Sequence, residues 1–369
     1  MTADSTPMHA ASMRDAERGK HYSLLAKVVL LALPLLCVAC QSNPPVHAPM
    51  HQQATPTDWS VVMDDAREAY GAGRYDLATE LAQESLVLAS SQHGADSPQA
   101  GSAANMLAVS QLATADFASA EANFEKAIEI LADSSGIDPS SIGSLYNNLA
   151  EVHRQQGGHA QALPLYEEAL RIVRSAYGAS HESTLRATAA LALAHHSVGN
   201  LDAAEPLYEE AISGLERVYG PSSPDLSTLL ANQADLLSIR GRNAEAKSVL
   251  LRVLSIEEAT KGASHPDVAS TLNTLGVVLA SEGDSTGALD AYLRALEIRQ
   301  TALGEDHPMV ATVLSNIGTV YRDTGRLDQA VSALTQAAEI LEARFGREPE
   351  DALLIRRELV ELHGEAAQG

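Results

Sequence analysis

The sequence predicts an all-α fold in which helical hairpins stack into a continuous array. Three observations carry this: a fixed internal period, apolar stripes of helical spacing, and regular glycine and proline punctuation. The period is 42 residues. Stepping back from Gly325 by 42 lands on Gly283, Gly241, Gly199, Gly157, Ala115 and Gly73. Five residues beyond each of these stands an alanine, from Ala330 back to Ala78, and seven before each stands a small residue, from Gly318 back to Ala66. A second glycine series, Gly94 to Gly346, keeps the same step. A period of this length without slippage marks a repeat array.

Each unit divides into two helices around its turn. In the last unit Leu314, Ile317, Gly318 and Tyr321 fall at i, i+3, i+4 and i+7, one stripe of a first helix. Ala330, Leu334, Ala337 and Ala338 form the matching stripe of a second. The glycine between them stops the first helix, since it enters φ > 0 without a Cβ clash. Pro98, Pro224, Pro266 and Pro308 open first helices, where the missing N–H costs nothing. A single hairpin cannot cover its second apolar face, so units must stack. Beyond Gly346 the period is expected to fail, leaving one amphipathic capping helix with a charged open face within residues 345–369. No second domain is expected.

The order small residue, glycine turn, alanine, then an aromatic (Phe124, Tyr166, Tyr208, Tyr292) and another small residue (Ala127, Ala169, Ala211, Ala295) resembles the tetratricopeptide repeat. The 42-residue unit, with phrases such as ALEIRQTALGEDHP at 295–308, is similar to the kinesin light chain type. The resemblance covers residues 58–344 as seven repeats. It implies a right-handed α-solenoid whose first helices line a concave wall, and a non-enzymatic binding scaffold.

The segment before the array reads differently. Arg14, Arg18, Lys20 and Lys27 precede an apolar run from Val28 to Ala39, too short for a comfortable membrane span and suited to a signal-peptide core. Residues 1–39 are therefore expected to be a signal peptide. Val38 and Ala39 before Cys40 look like a bacterial lipoprotein signal, in which Cys40 carries the lipid. Cys37 stands where such signals usually hold leucine, so ordinary secretion is the competing reading. Gln41 after the cysteine favours, by analogy, an outer membrane lipoprotein facing the periplasm. Residues 40–57 hold four prolines and no charge beyond the cysteine, a tether reaching on the order of 50 Å at ~3.1 Å per residue. Both cysteines lie before the array, so no disulfide is expected within it.

Without residues 1–39, 21 basic and 45 acidic residues remain, a formal charge of −24. That sign disfavours nucleic acid and bare anionic lipid as partners, leaving the lipid anchor as the expected membrane contact. Acids crowd the second helices, as at Glu121, Glu125 and Glu129 or Glu257 and Glu258, where a solvated outer face is expected. Residues 98–114 carry no charge. No phosphate loop, nucleophile elbow or Cys-x-x-Cys pair occurs in the array, so neither catalysis nor a cofactor is expected. His181, His265 and His307 share one loop position, which favours helix capping over metal binding, and no metal site is expected.

Helical spacing places the residues 13, 10, 6, 3 and 2 before each turn opposite the apolar stripe, the side that lines the ligand groove in the resembling family. The candidate partner-binding residues there are Asn105, Asn147, Glu151 and Arg154; Arg186 and His196; and Asp235, Asn273 and Arg322. Asparagines at one register can both donate to and accept from a peptide backbone, although each also suits a merely solvated helix face. Lys126, Lys247 and Lys261 all lie on second helices, which speaks against a clamp on a C-terminal carboxylate. The expected function is an exported, lipid-anchored adaptor that binds a protein or peptide segment in the concave groove, with envelope complex assembly as its expected setting. The alternative is a self-associating spacer using its ends or acidic outer face, and the oligomeric state stays open.

Overall fold

The computed structural model describes residues 58–346 and 350–366; the signal peptide, Cys40 and the tether lie outside the described residues. The described chain is all helix and turn. It divides between Val218 and Tyr219 into two compact units.

The first unit holds α1 (Trp59–Gly71), α2 (Tyr75–His93), α3 (Pro98–Ala113), α4 (Phe117–Ala132), α5 (Pro139–Gln155), α6 (His159–Tyr177), α7 (Glu182–Ser197) and α8 (Leu201–Tyr219), the last reaching the boundary. The second holds a 3₁₀ turn (Pro224–Leu226), then α9 (Ser227–Ile239), α10 (Asn243–Lys261), α11 (Pro266–Ser281), α12 (Ser285–Leu303), α13 (Pro308–Asp323), α14 (Leu327–Phe345) and α15 (Glu350–Ala366). Odd-numbered helices up to α13 are the first helices of seven hairpins.

One turn joins the two helices of every hairpin. In the last, Arg326 N donates to Tyr321 O across Gly325, and the same bond recurs from Arg74 N to Ala69 O in the first. This six-residue closure satisfies a carbonyl that the helix end would leave unpaired, and it needs φ > 0 at the central residue. The turn glycines sit at φ 72° to 83°; Ala115 does the same work at φ 59°. A non-glycine residue there costs roughly 1–2 kcal/mol.

First helices start on side-chain caps. Ser97 Oγ accepts from Ala100 N at 3.2 Å. The imidazoles of His181, His265 and His307 do the same through Nδ1, accepting from Ser183 N, Asp267 N and Met309 N, each at 3.2 Å. The shared loop histidines are thus helix caps, in the tautomer that leaves Nδ1 free to accept.

The cores are thin layers of alanine against larger side chains. Ala192, Ala204 and Tyr208 are fully buried in the first unit; Ala288, Tyr292 and Ala295 in the second. Two charged second-helix residues are buried instead of facing water. Glu257, expected on the outer face, is 6% exposed, and its Oε2 accepts from Thr271 Oγ1 at 2.7 Å. Arg299 is 1% exposed. Both stand on the stripe that meets the following first helix, where position overrides charge.

The period does not fail at Gly346. Ala352, Ile355, Leu359 and Leu362 of α15 are buried, and they stand 42 residues after the buried Val310, Val313, Ile317 and Val320 of α13. The capping helix α15 thus holds the register of a first helix. Its open face carries Leu353 and Val360 as well as charge.

Candidate partner-binding groove

The candidate residues are placed by the first helices, and their environments differ from hairpin to hairpin. In the first unit, Asn105 on α3 and Asn147 on α5 hold the same register, ten residues before their turns, and are half-buried. The Oδ1 atom of each is buried and accepts no hydrogen bond among the described residues. A carbonyl left in that state lacks the compensation that buried polar atoms normally find. It is an acceptor waiting for an N–H.

Glu151 and Arg154, one turn apart on α5, form a closed pair. Arg154 Nε donates to Glu151 Oε2 at 2.7 Å and Nη2 to Oε1 at 2.6 Å. Gln155 Nε2 and the Tyr166 hydroxyl donate to the same carboxylate at 2.8 and 3.1 Å. Burial pushes the Glu151 carboxyl up, but these bonds and the Arg154 charge outweigh it and hold the group below its ordinary value. Burial and the nearby Glu151 charge push the Tyr166 phenol up, so it stays a donor.

In α7, Arg186 Nε donates to Glu182 Oε1 at 2.9 Å. His196 is 7% exposed, its ring edge-on to Tyr208 at 6.0 Å, with Nδ1 3.3 Å from the Tyr208 hydroxyl. Burial alone lowers its pKa and keeps it neutral. His196 therefore belongs to the hairpin interior and does not line an open wall.

The second unit closes much of the corresponding surface. Asn273 on α11 is 2% exposed, and its Oδ1 accepts from Asn316 Nδ2 of α13 at 3.0 Å. It bridges neighbouring first helices; Ser315 and Thr319 of α13 are buried beside it in register. Arg322 donates to Asp323 at 3.0 Å and to Glu358 of α15. Asp235 on α9 is half-buried, and burial pushes its carboxyl up to about 6.

The structure thus pairs Glu151 with Arg154 on α5, which also carries Asn147, places Arg186 and His196 on α7, and leaves Asn105, Asp235, Asn273 and Arg322 each on a helix of its own. Arg154, Arg186 and Arg322 are each matched by an acid within reach. What remains is a near-neutral polar surface whose unmet demand is for hydrogen-bond donors. The sequence reading missed Tyr166 and Tyr208, aromatic-stripe residues whose hydroxyls reach across to first-helix polar groups; a polar residue six or three before the turn, paired with tyrosine rather than phenylalanine nine after it, is the available signal. Among the described residues no group of three or more His, Cys, Asp or Glu side chains could hold a metal ion, and no helix is long and apolar enough to cross a membrane.

Asp235 gives a pH prediction. Its folded pKa of about 6 lies above the ordinary 3.8, so the folded state binds the extra proton. Stability from this group is present below that ordinary value and is lost as pH rises through about 6. Asp235→Asn is expected to raise stability by about 1–3 kcal/mol at neutral pH and to match the parent below the acidic end of that window. Urea titrations at both pH values check this.

Comparison with known proteins agrees with the geometry. The family model described as "Tetratricopeptide repeat" matches residues 69–133, 141–217, 192–259, 225–301 and 267–343. The chain belongs to the tetratricopeptide repeat family. Among solved structures it is similar to the nearly identical repeats of a putative kinesin light chain from Podosopora anserina, at 22% identity and a TM-score of 0.51, over 56% of this chain and 97% of that one. It is also similar to a chain of the APC/C hetero-tetramer Cut9-Hcn1, at 17% identity and a TM-score of 0.55, over 83% of this chain and 52% of that one. A third is aspartyl phosphate phosphatase F from Bacillus subtilis, at 14% identity and 0.50, over 67% and 61%. At these identities the likeness is one of fold. The curated proteins gave no match. Tetratricopeptide repeats are protein–protein interaction scaffolds, typically without catalysis.

Proposed function

We propose that the chain is an exported adaptor, anchored by a lipid at Cys40 in the outer membrane and facing the periplasm, that holds a protein segment against the first helices of residues 98–155. One observation carries the binding part: Asn105 and Asn147 repeat at the same register with buried, unmet carbonyl oxygens. Rotation of each half-buried side chain would bring its carbonyl out to a peptide N–H, and its own amide would donate in return. Ser102, Val109 and Leu112 around Asn105 carry no charge, which favours an uncharged or apolar stretch of the partner. A few such anchors would supply most of the affinity. A role in assembling an envelope complex follows from the anchor and the scaffold together.

The double variant Asn105→Ala, Asn147→Ala tests this. It is expected to melt within about 0.5 kcal/mol of the parent, because neither carbonyl has a protein partner to lose. Pull-down of the partner is expected to weaken. Asn273 is left out because alanine there strands Asn316. Undiminished capture by a normally folded double variant contradicts the assignment. For the anchor, mass spectrometry of the mature N-terminus is expected to show a diacylated or triacylated Cys40; an unmodified N-terminus elsewhere contradicts it.

A further inference from the structure

The terminal helices each leave open a face that interior hairpins close. In complete hairpins the positions fourteen and seven before the turn are buried under the second helix, as Ala311 and Gly318 are in α13. Their counterparts in α15, Leu353 and Val360, are 49% and 71% exposed. Arg356 and Arg357 are exposed between them, Arg356 donating to Glu342 of α14 at 2.8 and 2.9 Å. At the other end, no hairpin precedes α1 among the described residues. Val61 is 55% exposed, whereas its counterparts Leu145, Leu229 and Val313 are buried. Asp64, Asp65 and Glu68 share its face and are all exposed, with Asp64 accepting from Arg67 Nη1 of the same helix at 2.8 Å.

The two faces match in spacing and oppose in charge. Leu353, Arg356, Arg357 and Val360 fall at i, i+3, i+4 and i+7, and so do Val61, Asp64, Asp65 and Glu68. Laid antiparallel, the arginine pair meets the aspartate pair, Val360 meets Val61, and Leu353 lies along the stem of Glu68. Two copies of α15 laid on each other would oppose arginine to arginine. We infer that the α15 face of one copy is a docking surface for the α1 face of a second copy, joining chains head to tail. Such a contact is heterologous, so repeated addition builds open chains or closed rings. It is independent of the groove: the residues of the two faces are absent from the proposed peptide site.

Light scattering of the full chain tests this, in nonionic detergent so that the apolar run from Val28 to Ala39 does not drive association. Mass is expected to grow with protein concentration and to fall as salt screens the arginine–aspartate contacts. Arg357→Glu with Val360→Glu removes one end, and Asp64→Arg with Asp65→Arg removes the other; each variant is expected to stay monomeric. Mixed, they are expected to form one-to-one pairs that grow no further, because one intact face remains on each. A chain carrying Arg356→Asp, Arg357→Asp, Asp64→Arg and Asp65→Arg together is expected to associate again. A parent that stays monomeric at every concentration overturns the proposal. So does an α1 variant that associates as the parent does, which would place the contact between two α15 helices, or a charge-swapped chain that stays monomeric.

Discussion

Gly214→Ile is expected to destabilise the first unit by about 3 kcal/mol, and Leu185→Ala added to it is expected to recover most of the loss. The reason lies in an exchange of sizes between two helices. Fifteen residues after the turn, second helices carry Ile130, Ile172, Ile256, Ile298 and Ile340, and α8 alone in that series carries glycine. Fourteen before the turn, first helices carry Gly101, Gly143, Ser227, Ala269 and Ala311, and α7 carries Leu185. A Cβ at Gly101 would come within 2.9 Å of Ile130 and 2.8 Å of Leu131; a Cβ at Gly214 would come within 2.3 Å of Leu185. The bulk that other hairpins place on the second helix sits here on the first. Isoleucine is the better helix former by a few tenths of a kcal/mol, far too little to offset the overlap. Leu185→Ala alone should cost about 2–5 kcal/mol as a cavity. The double variant restores the arrangement of the neighbouring hairpins, so its cost should fall well below the sum of the single ones. Additive losses in urea denaturation would show that the two side chains do not share one space.

Arg299→Leu is expected to stabilise the second unit by about 1–3 kcal/mol. Among the described residues only Nη1 of this buried guanidinium has a partner, Met309 O at 2.8 Å; Nε and Nη2 have none there. Burial drags its pKa down to about 10, the mark of a cation held where water cannot reach it. The repeats themselves supply the apolar solution, since Leu131, Val173, Leu215 and Leu341 occupy the same register and are buried. Leucine forfeits one bond to a carbonyl, about 1 kcal/mol, and removes a desolvated charge worth more. A lower melting temperature for this variant would mean that the arginine is satisfied by something other than the groups packed on it.

Seven hairpins, their turns and their caps were legible because a strict period repeats each local signal. His181, His265 and His307 show this well: a shared loop position pointed to capping before any contact was known. The fates of Asn273 and His196 were not legible. Asn273 holds the register of Asn105 and Asn147, and helical spacing assigns all three to one side. Which of them meets solvent depends on the neighbouring first helix, and Asn316, nine residues before its own turn, reaches back to Asn273. His196 turns inward because Tyr208 offers it a hydroxyl. Glu257 misled for a related reason, since its charge reads as exposure while stacking buries its register. The first-helix register of the capping helix was hidden because Arg356 stands where Leu272 and Leu314 stand in the hairpins before it.

The central claim is that residues 98–155 hold a partner on their inner side, and photocrosslinking from defined positions tests it most directly. A crosslinking residue at Ser102 or Ser144, beside the two asparagines, is expected to trap the same protein from native membranes. The same residue at Glu125 or Glu167, on the second helices, is expected to trap nothing in common with it. Capture of one protein from Glu125 and Glu167, with none from Ser102 and Ser144, would put the binding face on the outside and contradict the account.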